Sequence, residues 1–229
     1  MSQTNHQQTD HNIVLGMTGA SGAVYGIRLL QVLAAAGRDI QFSVSPSGAE
    51  VFRQELGLSV NLHELSPAEL LNFRPPADWD PDERWQQASA DVQSSEMVDS
   101  GQVRYFHHQD YLSSMASGSA RSGGMVVCPC SGGTLAAIAN GTSDNLICRA
   151  ADVHLKERRK LILVPRETPL SLVHLENMRR CVQAGAVVLP AMPGFYHGAK
   201  SVLDLVDFIV GRICDQLDVP HTLINRWGG

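Results

Sequence analysis

Apolar runs of strand length recur along the chain, at Ile13 to Met17, Ile40 to Val44, Met125 to Cys128, Leu161 to Val164 and Ala186 to Leu189, with segments of helical period between them. Met125-Val126-Val127-Cys128 and Leu161-Ile162-Leu163-Val164 do not alternate apolar with polar residues, as expected of strands covered by helices on both faces. Over Val24 to Ala36, residues Ile27, Leu30, Leu33 and Ala34 fall on one helical face, and Gly37 follows as a C-cap. Further helices are expected over Asn145 to Lys156, capped by Asp144, over Ser171 to Gln183 and over Ser201 to Leu217. This rhythm predicts a three-layer α/β protein with a mostly parallel sheet, whose ligands gather at the carboxyl ends of the strands.

One stretch breaks the rhythm. From Asn61 to Asp110 the chain carries Pro67, Pro75, Pro76 and Pro81, the acids Asp78, Asp80 and Asp82, and the tryptophans Trp79 and Trp85. It reads as an excursion from the sheet, with Ser66 or Pro67 opening a short helix and Val103 to Phe106 forming an edge strand. Its tryptophans serve either to pack the excursion onto the body or to mark a contact surface. The whole is one domain, 1–229, with a loose polar N-terminus at 1–11 and the excursion at about 61–110.

Composition narrows the classes of function. With 229 residues, 44% of them hydrophobic, the chain can bury a real core. A net charge of -5 and the lack of a basic stripe argue against a nucleic-acid partner; the run Lys156-Glu157-Arg158-Arg159-Lys160 contains its own acid and reads as a solvated helix end. The absence of an apolar stretch of membrane-spanning length predicts a cytoplasmic protein with no membrane partner. Five cysteines in apolar or helical contexts fit reduced, buried thiols, and Cys128-Pro129-Cys130 lacks a second Cys/His pair at zinc-site spacing, so no metal is expected.

The candidate chemistry lies where strands give way to helices. Gly16-Met17-Thr18-Gly19-Ala20-Ser21-Gly22-Ala23 joins the first apolar run to a helix, and such a turn can cradle an anion on backbone N–H groups at the positive end of the helix dipole. The Walker and dinucleotide spacings are both absent; the pattern is Gly19-x-x-Gly22 with a hydroxyl, Ser21, at its tip. Similar turns follow other strands: Ser45-Pro46-Ser47, Ser131-Gly132-Gly133-Thr134 and Pro165-Arg166-Glu167-Thr168. Each alone fits a helix N-cap; together they suit a phosphorylated planar ligand with polar edges. Glu55, Lys156, Glu167 and Tyr196 are the acid–base candidates, and Arg149 and Arg212 are natural phosphate clamps or snorkelling surface residues.

Several motifs then resemble, in order and spacing, those of the UbiX-type flavin prenyltransferases. They are Met17-Thr18-Gly19-Ala20-Ser21-Gly22-Ala23, Cys128-Pro129-Cys130-Ser131 with Thr134-Leu135, Arg149-Ala150-Ala151-Asp152-Val153, Leu155-Lys156-Glu157-Arg158-Arg159, Val164-Pro165-Arg166-Glu167-Thr168-Pro169, His174-Leu175-Glu176-Asn177-Met178 and Pro193-Gly194-Phe195-Tyr196-His197. The match runs from about Ile13 to Glu55 and from about Ser113 to Trp227. The excursion has no assignable counterpart, and Pro46 follows Ser45 where relatives often have Lys.

The resemblance implies an αβα Rossmann-like flavoprotein fold and a metal-independent enzyme that joins a dimethylallyl group from dimethylallyl monophosphate to N5 and C6 of reduced FMN. The product would be prenylated FMN for a UbiD-type decarboxylase, as in ubiquinone biosynthesis, and the assembly a homo-oligomer, a dodecamer, with active sites at subunit contacts. Carried over by motif, Gly19, Ala20, Ser21, Ser45, Ser131, Gly132, Gly133, Thr134 and Arg166 would hold FMN. Lys156, Tyr196, Arg212, Arg149 and Ser117 would serve the allylic phosphate, and Ser21, Glu55, Glu167 and Lys156 the catalysis. An FMN-dependent cysteine decarboxylase of the same fold and a non-catalytic flavin carrier or decarboxylase assembly subunit are the competing readings.

Overall fold

Strand β1 (Asn12–Met17) lies at the centre of a six-stranded sheet of order β3-β2-β1-β4-β5-β6. The computed structural model describes residues 12–80, 84–85, 96 and 102–224. The N-terminal segment 1–11, most of the latter half of the excursion and Trp227 lie outside them. Along the chain, helix α1 (Ala23–Ala35) follows β1; β2 (Asp39–Val44), α2 (Pro46–Leu56), α3 (Pro67–Leu71) and β3 (Val103–Tyr105) come next. Then come β4 (Gly124–Cys130), α4 (Gly132–Ala139), α5 (Leu146–Lys156), β5 (Leu161–Pro165), α6 (Leu172–Gln183), β6 (Val187–Val188) and α7 (Val202–Gln216). Each pairing in this sheet is parallel, so it is more uniform than the mostly parallel sheet expected.

The two-residue period of the strands sorts their side chains into two cores. Ile13, Leu15 and Met17 join Phe42, Val126, Ile162, α1 and α7 on one face. Val14, Met125, Val127, Leu161 and Leu163 join residues of α4, α5 and α6 on the other. Both faces are dry, which is why the strands read as unbroken apolar runs.

Helix α1 is buried along most of its length and carries the contacts that organise one face. Gly26 allows close approach to the sheet, since a Cβ there would stand 2.5 Å from the Cys128 carbonyl oxygen. Arg28 forks onto Asp207 of α7, with Nε donating to Oδ1 at 2.8 Å and Nη2 to Oδ2 at 3.2 Å. Both side chains are buried; burial pushes the Asp207 carboxyl up, and the Arg28 guanidinium opposes it. One turn on, Gln31 Nε2 donates to the carbonyls of Leu70, Leu71 and Phe73 at 3.0–3.1 Å, satisfying acceptors at the end of α3.

The excursion is thereby tied down at several points. Ser66 and Glu69 form a capping box around Pro67 at the start of α3, at the expected place. Trp85 is buried with its ring 4.7 Å from the Arg28 guanidinium carbon, so packing onto the body explains this tryptophan. Asp80 accepts from the N–H groups of Arg84 and Trp85 at 3.0 and 2.6 Å, and Arg84 Nη2 reaches Asp204 Oδ1 at 2.7 Å.

Several limits differ from expectation. The strand expected over Ala186 to Leu189 spans only Val187–Val188, and the edge strand ends at Tyr105 instead of Phe106. Two further differences have a local cause. Asn145, not Asp144, caps α5: its Oδ1 accepts from Cys148 N at 3.0 Å, while Asp144 Oδ1 accepts from the Asn145 side chain. Either short side chain suits an N-cap, and the extended backbone at Asn145 decides between them. Strand β4 runs through Cys130, beyond the apolar run, with a shift of register against β5 between Val127 and Cys130.

Asp204 closes the start of α7. Burial would raise its carboxyl, but hydrogen bonds from Lys200 N, Arg84, and the N–H and hydroxyl of Ser201 hold it at about 2, below the ordinary 3.8. A depressed native value makes the charged carboxylate stabilising above 3.8, and the contribution fades as pH falls through about 2. In urea titrations across pH, the wild type is therefore expected to exceed Asp204→Asn in stability near neutrality, and the gap to close between 3.8 and about 2. A gap that stays constant over that range would remove the carboxylate from the anchor.

Candidate functional site

The chain leaves β1 toward one face of the sheet and β4 toward the other, opening a crevice at their carboxyl ends. Thr18, the first residue past β1 and 2% exposed, ties its two sides together. Its N–H and its hydroxyl both donate to the Pro129 carbonyl, at 3.1 and 2.8 Å, and the hydroxyl oxygen accepts from Ser131 N at 2.8 Å. The hydroxyl thus uses its single donor and one of its two acceptor positions.

The glycine turn is shaped by its neighbours. A Cβ on Gly19 would lie 2.4 Å from Ser47 Cβ, so the β1 and β2 turns can touch only if Gly19 lacks a side chain. Gly22 has φ of +106°, the left-handed region that glycine tolerates. The expected anion cradle on α1 is filled from within the chain. Gly22 N donates to both Glu55 carboxylate oxygens, at 3.2 and 2.9 Å, and Ala23 N donates to Oε2 at 3.0 Å. Glu55, anticipated as a proton-handling group on the second helix, is therefore also the anion at the positive end of α1.

A cavity of about 410 Å³ opens beside this cap, lined by Ser21, Gly22, Val24, Tyr25, Glu55, Trp79, Arg166, Ala191, Val202, Leu205 and Val206. Arg166, at the mouth of β5, turns toward α1, with Nε donating to the Ser21 carbonyl at 3.3 Å. Ser21, Glu55 and Arg166 supply polar chemistry, whereas Trp79, Ala191 and the α7 residues are apolar. Burial pushes the Tyr25 phenol up, with Arg166 acting in the opposite sense, so the phenol remains a neutral donor. Such a lining suits a flat ligand with polar edges.

The other flavin candidates border the same end of the sheet as helix caps. Ser45 Oγ accepts from Gly48 N at 3.0 Å at the start of α2. Ser131 Oγ accepts from Thr134 N at 3.2 Å and donates to Thr134 Oγ1 at 3.0 Å at the start of α4. A Cβ on Gly132 would approach His174 at 3.2 Å, while Gly133 faces open space. Glu167, next to Arg166, accepts from Thr168 N at 3.0 Å and is partly exposed.

The phosphate candidates do not join them within one chain. Lys156 ends α5 just before β5 begins, at the amino ends of the strands, and pairs with Glu157 at 2.5 Å. The turn carrying Ser117 is its neighbour, since a Cβ on Gly118 would stand 2.8 Å from Lys156 Nζ. Arg149 pairs with Asp152 at 2.9 Å. Arg212 pairs with Asp215 at 2.7 Å and borders a separate depression with Asp218, Val219 and Pro220. Tyr196 is 60% exposed in the loop before α7, edge-on to Phe208 at 5.6 Å. The single allylic-phosphate pocket drawn from the motifs is thus dispersed over one subunit.

Among the described residues no cluster of three or more His, Cys, Asp or Glu could hold a metal ion. The five cysteines are free and buried, and burial pushes the Cys128 and Cys130 thiols up. No helix among the described residues is long and apolar enough to cross a membrane.

The family model described as Flavoprotein matches residues 1–214. Flavin prenyltransferase UbiX of Pseudomonas aeruginosa is 45% identical over 217 residues, covering 94% of this chain and 93% of that protein. The chain belongs to the UbiX family of flavin prenyltransferases. Among solved structures of UbiX-like proteins, AnUbiX in complex with FMN and dimethylallyl pyrophosphate has a TM-score of 0.76 at 36% identity, with 96% of this chain and 98% of that one covered. A dodecameric FMN-dependent UbiX-like decarboxylase from Escherichia coli O157:H7 has a TM-score of 0.75 at 34% identity, covering 95% of this chain and 100% of that one.

In this UbiX fold Thr18, Tyr25 and Trp79 join the site, although none is among the site residues carried over by motif. Thr18 was visible only as a hydroxyl after an apolar strand; Tyr25 sits in a helix that reads as core; Trp79 lies in a proline-rich stretch without periodicity. Thr18→Val keeps the shape and leaves Ser131 N without its acceptor. The expected loss is about 1–3 kcal/mol of unfolding free energy, with Thr18→Ser losing less than half as much in the same urea titration. Equal stability of Thr18→Val and wild type would show that the hydroxyl does not tie the two turns.

Proposed function

We propose that this chain joins a dimethylallyl group, taken from dimethylallyl monophosphate, to N5 and C6 of reduced FMN, forming prenylated FMN for a UbiD-type decarboxylase in the cytoplasm. The observation that carries the reading is the gathering of Ser21, Glu55 and Arg166 around one cavity in a chain with full-length UbiX relatives. FMN fits that donor set: Arg166 and the Ser21 hydroxyl meet polar ring edges, and the apolar walls exclude water from the ring. Gly19, Ala20, Ser45 and the turn Ser131, Gly132, Gly133 and Thr134 complete its binding site.

The reduced flavin supplies the nucleophilic nitrogen and carbon. What the protein adds is charge, proton transfer and exclusion of water. Breaking the allylic C–O bond leaves a phosphate, and Lys156, Arg149 and Arg212 stabilise that developing negative charge, with Tyr196 and Ser117 as hydroxyl donors. Glu167 beside Arg166 handles protons during ring closure, with Ser21 as relay and Glu55 assisting from α2. Because these cations lie away from the cavity of their own subunit, a second copy of the chain supplies them, in a homo-oligomer of the dodecameric kind. The exposed Leu172, Val173, Leu175, Met192 and Phe195 provide apolar surface for such contacts.

Anaerobic incubation with reduced FMN and dimethylallyl phosphate, followed by mass analysis of the released flavin, is expected to show the gain of one prenyl group. Glu167→Gln is expected to bind FMN and stop before the ring closes. No mass gain with either the monophosphate or the diphosphate donor would sink the prenyltransferase reading, and full cyclisation by Glu167→Gln would remove that carboxyl from the mechanism.

A further inference from the structure

We infer that Trp79 is a flavin-contacting residue: the excursion between α3 and β3 delivers an indole into the cavity, where it packs against the isoalloxazine ring. The inference rests on the reading of that cavity as the FMN site. Trp79 is half-buried and shares the lining with Ser21, Glu55 and Arg166. Those three supply charged and hydrogen-bonding groups; an aromatic plane supplies what a flat heterocycle needs on its faces, broad contact area and a quadrupole that favours offset or edge-on packing.

The indole is held in place rather than left on a free loop. Its turn, Ala77–Trp79, is closed by Trp79 N donating to the Pro76 carbonyl at 3.0 Å. The next residue, Asp80, is buried and accepts from the N–H groups of Arg84 and Trp85. Those two residues are in turn fastened to the body, Arg84 to Asp204 of α7 and Trp85 above the buried Arg28–Asp207 pair. Trp79 is thus fixed through its neighbours to α1 and α7, the two helices whose first turns also line the cavity. A wall positioned before the ligand arrives costs little ordering entropy on binding.

The test is an FMN titration of the full chain, following affinity and the emission of the bound flavin, with Trp79→Leu, Trp79→Phe and Arg166→Ala. Leu keeps apolar volume without a π face, and Phe keeps a smaller face that does not quench flavin emission. Trp79→Leu is expected to weaken FMN binding about tenfold, a size typical of a lost aromatic contact. Trp79→Phe should stay within about threefold of wild type while the bound flavin becomes brighter, because the indole no longer quenches it. Should Trp79→Leu fail to fold, the brightening in Trp79→Phe decides alone. Unchanged affinity and emission in the Trp79 variants, with Arg166→Ala weakened, would overturn the inference and leave the flavin site intact; a raised KM for the prenyl donor alone would also overturn it. If the wild type and Arg166→Ala bind FMN equally poorly, the reading of the cavity itself fails, and the inference falls with it.

Discussion

The site depends on a single hydroxyl. Where β1 and β4 part company, their pairing runs out after the bond from Thr18 N to the Pro129 carbonyl, and each turn feeds a helix on a different face of the sheet. Thr18 replaces the lost ladder by donating to Pro129 and accepting from Ser131. It thereby fixes the Gly19–Gly22 turn against the Ser131–Thr134 turn, and with them the spacing of two groups of candidate flavin contacts. Being buried, the hydroxyl has no water to fall back on, so the tie is costly to lose.

Helix α1 carries that order outward. Its first turn is neutralised by Glu55, its middle is pressed onto β4 at Gly26, and its outer side grips α7 through Arg28 and α3 through Gln31. Each contact uses a polar group in a dry environment, where a missing partner is penalised more than a satisfied one is rewarded. The arrangement consequently favours one placement of the helix over small slides along the sheet. Because the excursion hangs on the same helix through Gln31 and Trp85, a segment that looks peripheral in the chain is mechanically close to the cavity.

The division of the candidate groups has a topological cause. In a parallel α/β sheet, residues after strands collect at one edge and residues at helix ends before strands collect at the other. Ser21, Arg166 and Glu167 belong to the first class; Lys156 belongs to the second, with Ser117 beside it. Their separation within a subunit is therefore built into the fold, and it is this separation that the proposed function bridges by symmetric assembly.

By itself the sequence determined the layers, the strands, most helix limits and the family, because periodicity and turn chemistry are local and the motifs retain their order. Helices open at Ser66, Ser171 and Ser201, where expected, with each serine as the N-cap, since a hydroxyl before a helical period satisfies the free N–H groups of the first turn. Tertiary structure alone decided the wholly parallel pairing, the choice of Asn145 over Asp144 as a cap and the capture of the α1 amides by Glu55. It also placed Trp79 in the cavity and Trp85 over Arg28. None of these has a local signature: each joins residues tens of positions apart, or turns on the backbone angle of a single residue. Residue types could say that a carboxylate, a guanidinium and a hydroxyl were available, but only close packing between distant segments decides which ones share a cavity.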